Sequence, residues 1–565
     1  MLNTQQHKYH PVPVIPMPQR RWPDQILQHA PAWCSIDLRD GNQALATPMS
    51  PERKQRFFEQ LLHLGFREIE AGFPAASVDD FAFLRQLVAQ AHQDVAIQVL
   101  TSARPEHIAR TFAALEGMPQ AIVHFYLSTS PLQRRLVFGV ETHTLIDRAV
   151  RAAEQIRQLS EKHPDTRWRW QFSPESFSAT EPEVALAICE AVAAVWEPTP
   201  DHKIILNLPA TVELASPNRY ADQIEWFAHH FSRRAAVILS IHPHNDRGCA
   251  VAAAELALLA GAERVEGALF GNGERTGNLD LVTLAMNLYS QGIPTGLDFS
   301  RMDEVVACYE TCTGMTVPPR QPYAGELVFT AFSGSHQDAI RKGLNAWKED
   351  QPWEVPYLPI DPRDVGADLS GVIRVNSQSG KAGAAHLLES EKGIRLPKNL
   401  EREFGQMVQI ATEQRGQELS QSEIGAVFTA GFCQPSSQVR LQSYRLTQEN
   451  QCTLALQVGV GERSGWLYGS GNGPIDAACH ALPGPWRIEF YQEQALTTGS
   501  QAQAIAFITL MGENGCHGLS GVGIHHDIVT ASLQALLAAI NRQLQRYPHI
   551  EQQQLQQAWH LSTSQ

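Results

Sequence analysis

The chain has 565 residues, 43% of them hydrophobic and 18% charged, enough to build several cored domains and incompatible with a disulfide-stapled miniprotein or a disordered chain. Its formal charge is −14 and no basic run exceeds an adjacent pair, which excludes nucleic acid and anionic membrane as partners. Nine scattered cysteines without a Cys-x-x-Cys pair exclude a zinc ribbon and suit reduced thiols in the cytoplasm.

Residues 1–30 are proline-rich and lack the apolar core of a signal peptide, so an N-terminal arm is expected. No apolar stretch reaches the 18–20 residues needed to cross a bilayer. From 31 to about 295, short β-rich runs alternate with helical patterns. The runs are 32–40, 66–73, 94–102, 120–128, 167–175, 201–211, 236–246 and 264–273. Between them, segments such as 51–65 and 247–262 place apolar residues three and four apart. Eight β units, each followed by a helix, predict a (β/α)₈ barrel over 31–325. A doubly wound sheet is the alternative, but no Gly-x-Gly-x-x-Gly follows the first strand.

Beyond the barrel, 326–432 reads as a linker subdomain. Helical patterns at 332–350 and about 380–430 flank a stretch kept extended by Pro352, Pro356, Pro359 and Pro362. The remainder, 433–565, contains an internal duplication. GERSGWLYGSGNGPIDAACHAL aligns with GENGCHGLSGVGIHHDIVTASL, pairing Asp476 with Asp527. Two β-like runs precede each glycine-rich stretch and a helix follows it, a repeated βββα-type unit in an α+β domain. The glycine-rich stretches 461–473 and 512–523 are expected to be loops whose backbone N–H groups face a small ligand. Cys308 and Cys312, one helical turn apart, are expected as buried helix thiols.

Reactive side chains gather at the C-terminal edges of the runs: Arg39 and Asp40, Glu70, His124, Ser173 and Glu175, Thr211, His242 and His244, then 272–278. That is the face on which barrel enzymes build their active sites. In His242-Pro243-His244, alternation along a strand points both imidazoles the same way, as two ligands of one metal require. Two neutral imidazoles and a carboxylate leave a metal positive and partly open, a Lewis acid for an α-keto acid. Asp37 and Asp40 both qualify as the carboxylate. Neither GNGERTGN (271–278) nor NSQSGKAG (376–383) has the spacing of a nucleotide-binding loop.

DLRDGNQAL, HPHNDRG, LFGNGERTGN and the duplicated C-terminal region together resemble the aldol/Claisen-type metallolyase barrels, and among them the long-form α-isopropylmalate synthases. The likeness runs from about residue 30 to 545, and FSGSHQDAI and VPYLPIDPRDVG belong to it. It implies that Asp40, His242, His244 and Asn278 hold a divalent metal, Mg²⁺ or else Mn²⁺ or Zn²⁺. Arg39 would stabilise the developing oxyanion, and His124, Ser173, Glu175 and Thr211 would line the keto-acid pocket. Glu175 or a histidine relay would take a proton from acetyl-CoA. His336 and Tyr357 would assist proton transfer or hydrolysis in the partner subunit of a homodimer. The reaction implied is condensation of acetyl-CoA with 3-methyl-2-oxobutanoate and thioester hydrolysis, with leucine bound by residues 433–565 as feedback inhibitor.

Homocitrate and citramalate synthases share this chemistry and differ in the keto acid. Amidohydrolase barrels also use His-x-His, but there the pair ends the first strand and here the seventh. An amino-acid sensor built on the C-terminal repeat would leave the barrel's histidines without a purpose.

Overall fold

The computed structural model describes residues 13–90, 92–369, 381–415, 419–434, 439–448, 451–496, 502–511, 517–546 and 557–559. It divides into two compact units, Met1–Phe329 with Ile360–Ala367, and Thr330–Pro359 with Asp368–Gln565. The eight-residue segment Ile360–Ala367, inside the stretch read as linker, thus belongs to the first unit; Ile360 and Val365 enter its core.

In the first unit, β1 (Ala32–Ser35), β2 (Glu68–Glu70), β3 (Ala96–Ser102), β4 (Gln120–Ser128), β5 (Arg167–Glu175), β6 (Ile204–Ala210), β7 (Val237–Pro243) and β8 (Arg264–Gly267) close into a barrel in chain order. Every neighbouring pair is parallel. Strands such as β3, β6 and β7 are buried along nearly their whole length, as parallel strands covered on both faces must be. Helices surround them; Pro51–His63 is opened by Ser50, which accepts from Arg53 N, and buries Phe57, Phe58 and Leu61. Only the runs 120–128 and 167–175 keep their full length as strands; the other six are shorter than the sequence pattern suggests, the first and eighth by five residues or more. The first stops at Ser35, and Asp37–Gly41 form a single π-helical turn that carries Arg39 and Asp40. The eighth stops at Gly267, where a side chain would strike Leu279 O at 2.6 Å.

The barrel interior is layered. Ala96, Ile122 and Ile205, with Ile238 against them, make an apolar layer. Two residues further along the same faces stand Gln98, His124, Asn207 and Ser240, so the interior turns polar toward the C-terminal ends of the strands. The arm is tied down as well: Arg20 and Trp22 both donate to Asp222 on the helix Pro217–His230.

The second unit carries the duplicated domain. Antiparallel β9 (Val439–Gln448), β10 (Cys452–Val460) and β11 (Arg463–Gly471) precede the helix Pro474–Ala481. Then β12 (Ile488–Ala495), β13 (Ala504–Met511) and β14 (His517–His525) precede the helix Ile528–Arg546. Both halves feed one core, in which Leu454, Leu456 and Val458 meet Ile508, Leu536 and Ile540. The helices Lys398–Arg415 and Gln421–Phe428, inside the expected linker, bury Leu400, Phe404, Ile424 and Phe428 with Ile505, Phe507 and Val522 of the second sheet. An amphipathic helix needs a partner for its apolar face, and here the sheet provides it.

One expectation is overturned. The described glycines of the two rich stretches lie mainly in the third strands, where β11 pairs with β10 and β14 with β13, so their backbone groups serve the ladder; residues 512–516 fall outside the described residues. Close approach explains the glycines. A Cβ on Gly469 would lie 2.2 Å from Ala477 O, and one on Gly523 1.9 Å from Ala531 O. Each glycine admits the helix that follows, eight residues on. By this criterion Gly469 matches Gly523, so the two halves run a few residues out of the register read from the sequence.

Candidate active site

The C-terminal ends of the strands enclose a cavity of about 650 Å³. Arg39, Asp40, His124, Ser173, Glu175, Thr211, His242 and His244 all line it. Phe73, Leu100 and Tyr126 add apolar and aromatic wall. These three had no signal of their own, being ordinary strand and loop residues in sequence.

Asp40, His242 and His244 are buried, and one potential ligand atom from each lies within 4.8 Å of the others. Asp40 Oδ2 is 3.6 Å from His242 Nε2 and 3.8 Å from His244 Nε2. The imidazoles stack nearly parallel, 5.1 Å between centroids, His242 near the end of β7 and His244 just beyond it. Asn278 closes the group. Its Oδ1 is 2.9 Å from His242 Nε2 and its Nδ2 donates to Asp40 Oδ2 at 2.8 Å. Between the two candidate carboxylates the geometry selects Asp40. Asp37 instead accepts from Ser35 Oγ and Leu269 N, and burial raises its carboxyl to about 7.

Charge in the group is uneven. Burial works against ionisation of Asp40, yet Arg39 and His242 hold its carboxyl well below the ordinary range. Burial also works against the His242 cation, but Asp40 and Glu266 raise it to about 10. His244 is lowered to about 3, first by burial and then by the charge on His242. Its buried Nδ1 has no hydrogen-bond partner. A carboxylate, two imidazoles and an amide oxygen, without thiolate, form a donor set that fits a divalent cation.

Arg39 is locked by two carboxylates, with Nε 2.5 Å from Glu70 Oε2 and Nη1 2.7 Å from Asp40 Oδ1. Glu70 also takes His124 Nδ1 at 2.7 Å, leaving His124 Nε2 2.7 Å from Ser173 Oγ. Glu175 accepts from Ser128 Oγ, and Thr211 Oγ1 accepts from Ser176 N at 2.9 Å. His336 and Tyr357 belong to the second unit. Their rings stack at 4.0 Å, Tyr357 is 61% exposed, and its backbone is left-handed at φ 65°.

Below the cavity lies a buried layer that no sequence motif marks. Glu266 accepts from Gln98, Gln171, Asn207, Arg264 and His242. Arg264 is also bound to Glu68 at 2.6 Å. Its signal in the sequence is faint: Gln98, Gln171 and Asn207 are polar residues within strands, each two positions before a residue that lines the cavity.

Three family descriptions match the chain in order. HMGL-like covers residues 30–308, alpha-isopropylmalate synthase, post-catalytic domain-like covers 326–389, and LeuA allosteric (dimerisation) domain covers 418–544. The 2-isopropylmalate synthase of Ralstonia pickettii (strain 12J) is 50% identical over 554 residues, 97% of each chain. That of Pseudomonas fluorescens (strain Pf0-1) is 52% identical over 550 residues, 96% of this chain and 98% of that one. Among solved structures, the hydroxymethylglutaryl-CoA lyase of Pseudomonas aeruginosa superposes on 52% of this chain and 95% of its own, with 19% identity and a TM-score of 0.42. With half of all positions identical through the barrel, the helical segment and the duplicated domain, the chain belongs to the 2-isopropylmalate synthase family.

Proposed function

We propose that the chain condenses acetyl-CoA with 3-methyl-2-oxobutanoate and hydrolyses the thioester, giving 2-isopropylmalate and CoA in the first committed step of leucine biosynthesis. The observation that carries the reading is the convergence of Asp40, His242 and His244 with Arg39 on one cavity, in a chain half identical to synthases of that name. Asp40, His242, His244 and the Asn278 amide oxygen would hold the metal, Mg²⁺ in preference to Mn²⁺ or Zn²⁺ because oxygen donors join the imidazoles. Bound there, the cation supplies a Lewis acid for the keto group.

The remaining work falls to the chain. Arg39, its guanidinium fixed by Glu70 and Asp40, meets negative charge on the keto oxygen without reorganising. His124, Ser173 and Thr211 orient the keto acid. Leu100 and Tyr126 give its branched end an apolar seat, which favours 3-methyl-2-oxobutanoate over the dicarboxylate a homocitrate synthase takes. Glu175, a carboxylate on the cavity wall, removes the proton from the acetyl methyl group. His336 and Tyr357 act in proton transfer and hydrolysis at the cavity of the partner subunit.

Exhaustive chelation of the purified chain should abolish CoA release and Mg²⁺ or Mn²⁺ should restore it. Asp40→Asn, His242→Ala and His244→Ala should each lower turnover by at least about 10²-fold, with exposed His230→Ala unchanged. Full activity after chelation, or equal effects of all four substitutions, would sink the assignment.

Mixing inactive His242→Ala with inactive Tyr357→Phe should recover part of the activity, because one of the mixed dimer's two sites regains both residues. Absence of recovery after demonstrated subunit exchange would remove Tyr357 from the partner's site.

Regulation by leucine belongs to the second unit. A cavity of about 290 Å³ opens where the two halves of the duplicated domain meet, lined by Ile475, Asp476, Tyr491, Glu493, Val529 and Ser532. Two carboxylates suit an ammonium group, and Ile475 and Val529 suit a branched side chain. Leucine should lower turnover with a coupling of about 1–3 kcal/mol, and Glu493→Gln should weaken its binding heat at least tenfold. A full-length chain that shows neither leucine heat nor inhibition would contradict this role.

A further inference from the structure

Glu266 stands on β8 beneath the cavity, with its side chain fully buried. Its Oε1 takes Gln98 Nε2 at 2.8 Å, Gln171 Nε2 at 2.7 Å and Arg264 Nη1 at 2.9 Å. Its Oε2 takes His242 Nδ1 at 3.0 Å and Asn207 Nδ2 at 3.1 Å. A carboxylate surrounded by side-chain donors can only accept. His242 Nδ1 therefore carries a proton, and Nε2 is the nitrogen left to face Asp40 and Asn278.

Neutralising Arg264 would be the ordinary purpose of such a carboxylate. Arg264 already has Glu68 at 2.6 Å, so one oxygen of Glu266 is free to serve the imidazole. Gln98 ties this arrangement to the other side of the cavity. Its Nε2 also reaches Glu70 Oε1 at 2.9 Å, the carboxylate that holds Arg39 and His124.

We propose that Glu266 is a positioning residue: it fixes the ring orientation and tautomer in which His242 presents Nε2 to a divalent metal, and through Gln98 it shares one buried layer with the carboxylate that aims Arg39. The proposal rests on the metal reading given above. A carboxylate behind a ligating imidazole sets which nitrogen is free and makes it a better donor. Glu266→Gln weakens this support because an amide offers one accepting oxygen to donors that now share two.

The test is calorimetric titration of full-length, metal-free protein with Mn²⁺, unmodified and as Glu266→Gln, with melting temperatures recorded alongside. Support consists of affinity lowered about 10–100-fold in a variant that still melts cooperatively, with kcat reduced and the keto-acid KM nearly unchanged. Unchanged Mn²⁺ affinity in the folded variant overturns the proposal. Should Glu266→Gln fail to fold, Glu266→Asp decides by the same titration, since it keeps the charge but withdraws it from His242; parent affinity there overturns the proposal equally. An unmodified chain that binds no Mn²⁺ overturns the metal reading and this proposal together, whereas a binding parent with an unaffected variant overturns this proposal alone.

Discussion

Buried charge inside the barrel must be balanced residue by residue, and this constraint governs the site. Arg39 and Arg264 lie among Asp40, Glu68, Glu70 and Glu266, all largely or wholly withdrawn from solvent. Leaving one such charge unpaired costs about 3–5 kcal/mol. Each arginine touches two carboxylates, and two further groups face the remaining negative charge, Arg169 on Glu68 and His242 between Asp40 and Glu266. Glu68 and Glu266 hold Arg264, while Asp40 and Glu70 hold Arg39.

That balance gives the cavity its chemistry. Glu70 and Asp40 hold the Arg39 guanidinium on the cavity wall, so negative charge forming beside it would meet a cation that need not reorganise. Asp40 serves two neighbours, with one oxygen toward Arg39 and the other toward the histidine pair. Burial works against a charge on His242, yet Asp40 and Glu266 on its two sides favour one, so the group is already built around positive charge.

What the sequence disclosed was periodic. Eight apolar runs separated by helical spacing predict the barrel, and polar residues at their ends predict the catalytic face, which is why Arg39, Asp40, His124, Ser173, Glu175, Thr211, His242 and His244 surround one cavity. What it concealed was set by contacts across the barrel. Gln98, Gln171 and Asn207 look like tolerated polar residues within strands, and only closure brings them to one carboxylate. Asp37 and Asp40 are equivalent in sequence until the π-helical turn after Ser35 turns one toward the histidines and the other toward Leu269 N. The glycines of the duplicated domain are ambiguous in sequence, because close approach of a helix to a strand and a ligand-binding loop demand the same residue type.

The central claim is that Asp40, His242 and His244 form one divalent-metal site on the barrel's catalytic face. Anomalous diffraction from crystals of the full chain grown with Mn²⁺ tests it most directly. The account predicts a single strong manganese peak bounded by Asp40 Oδ2, the ring nitrogens of His242 and His244, and the Asn278 amide oxygen. A chain saturated with Mn²⁺ whose anomalous density lies elsewhere, with these three side chains bonded only to one another, would contradict it.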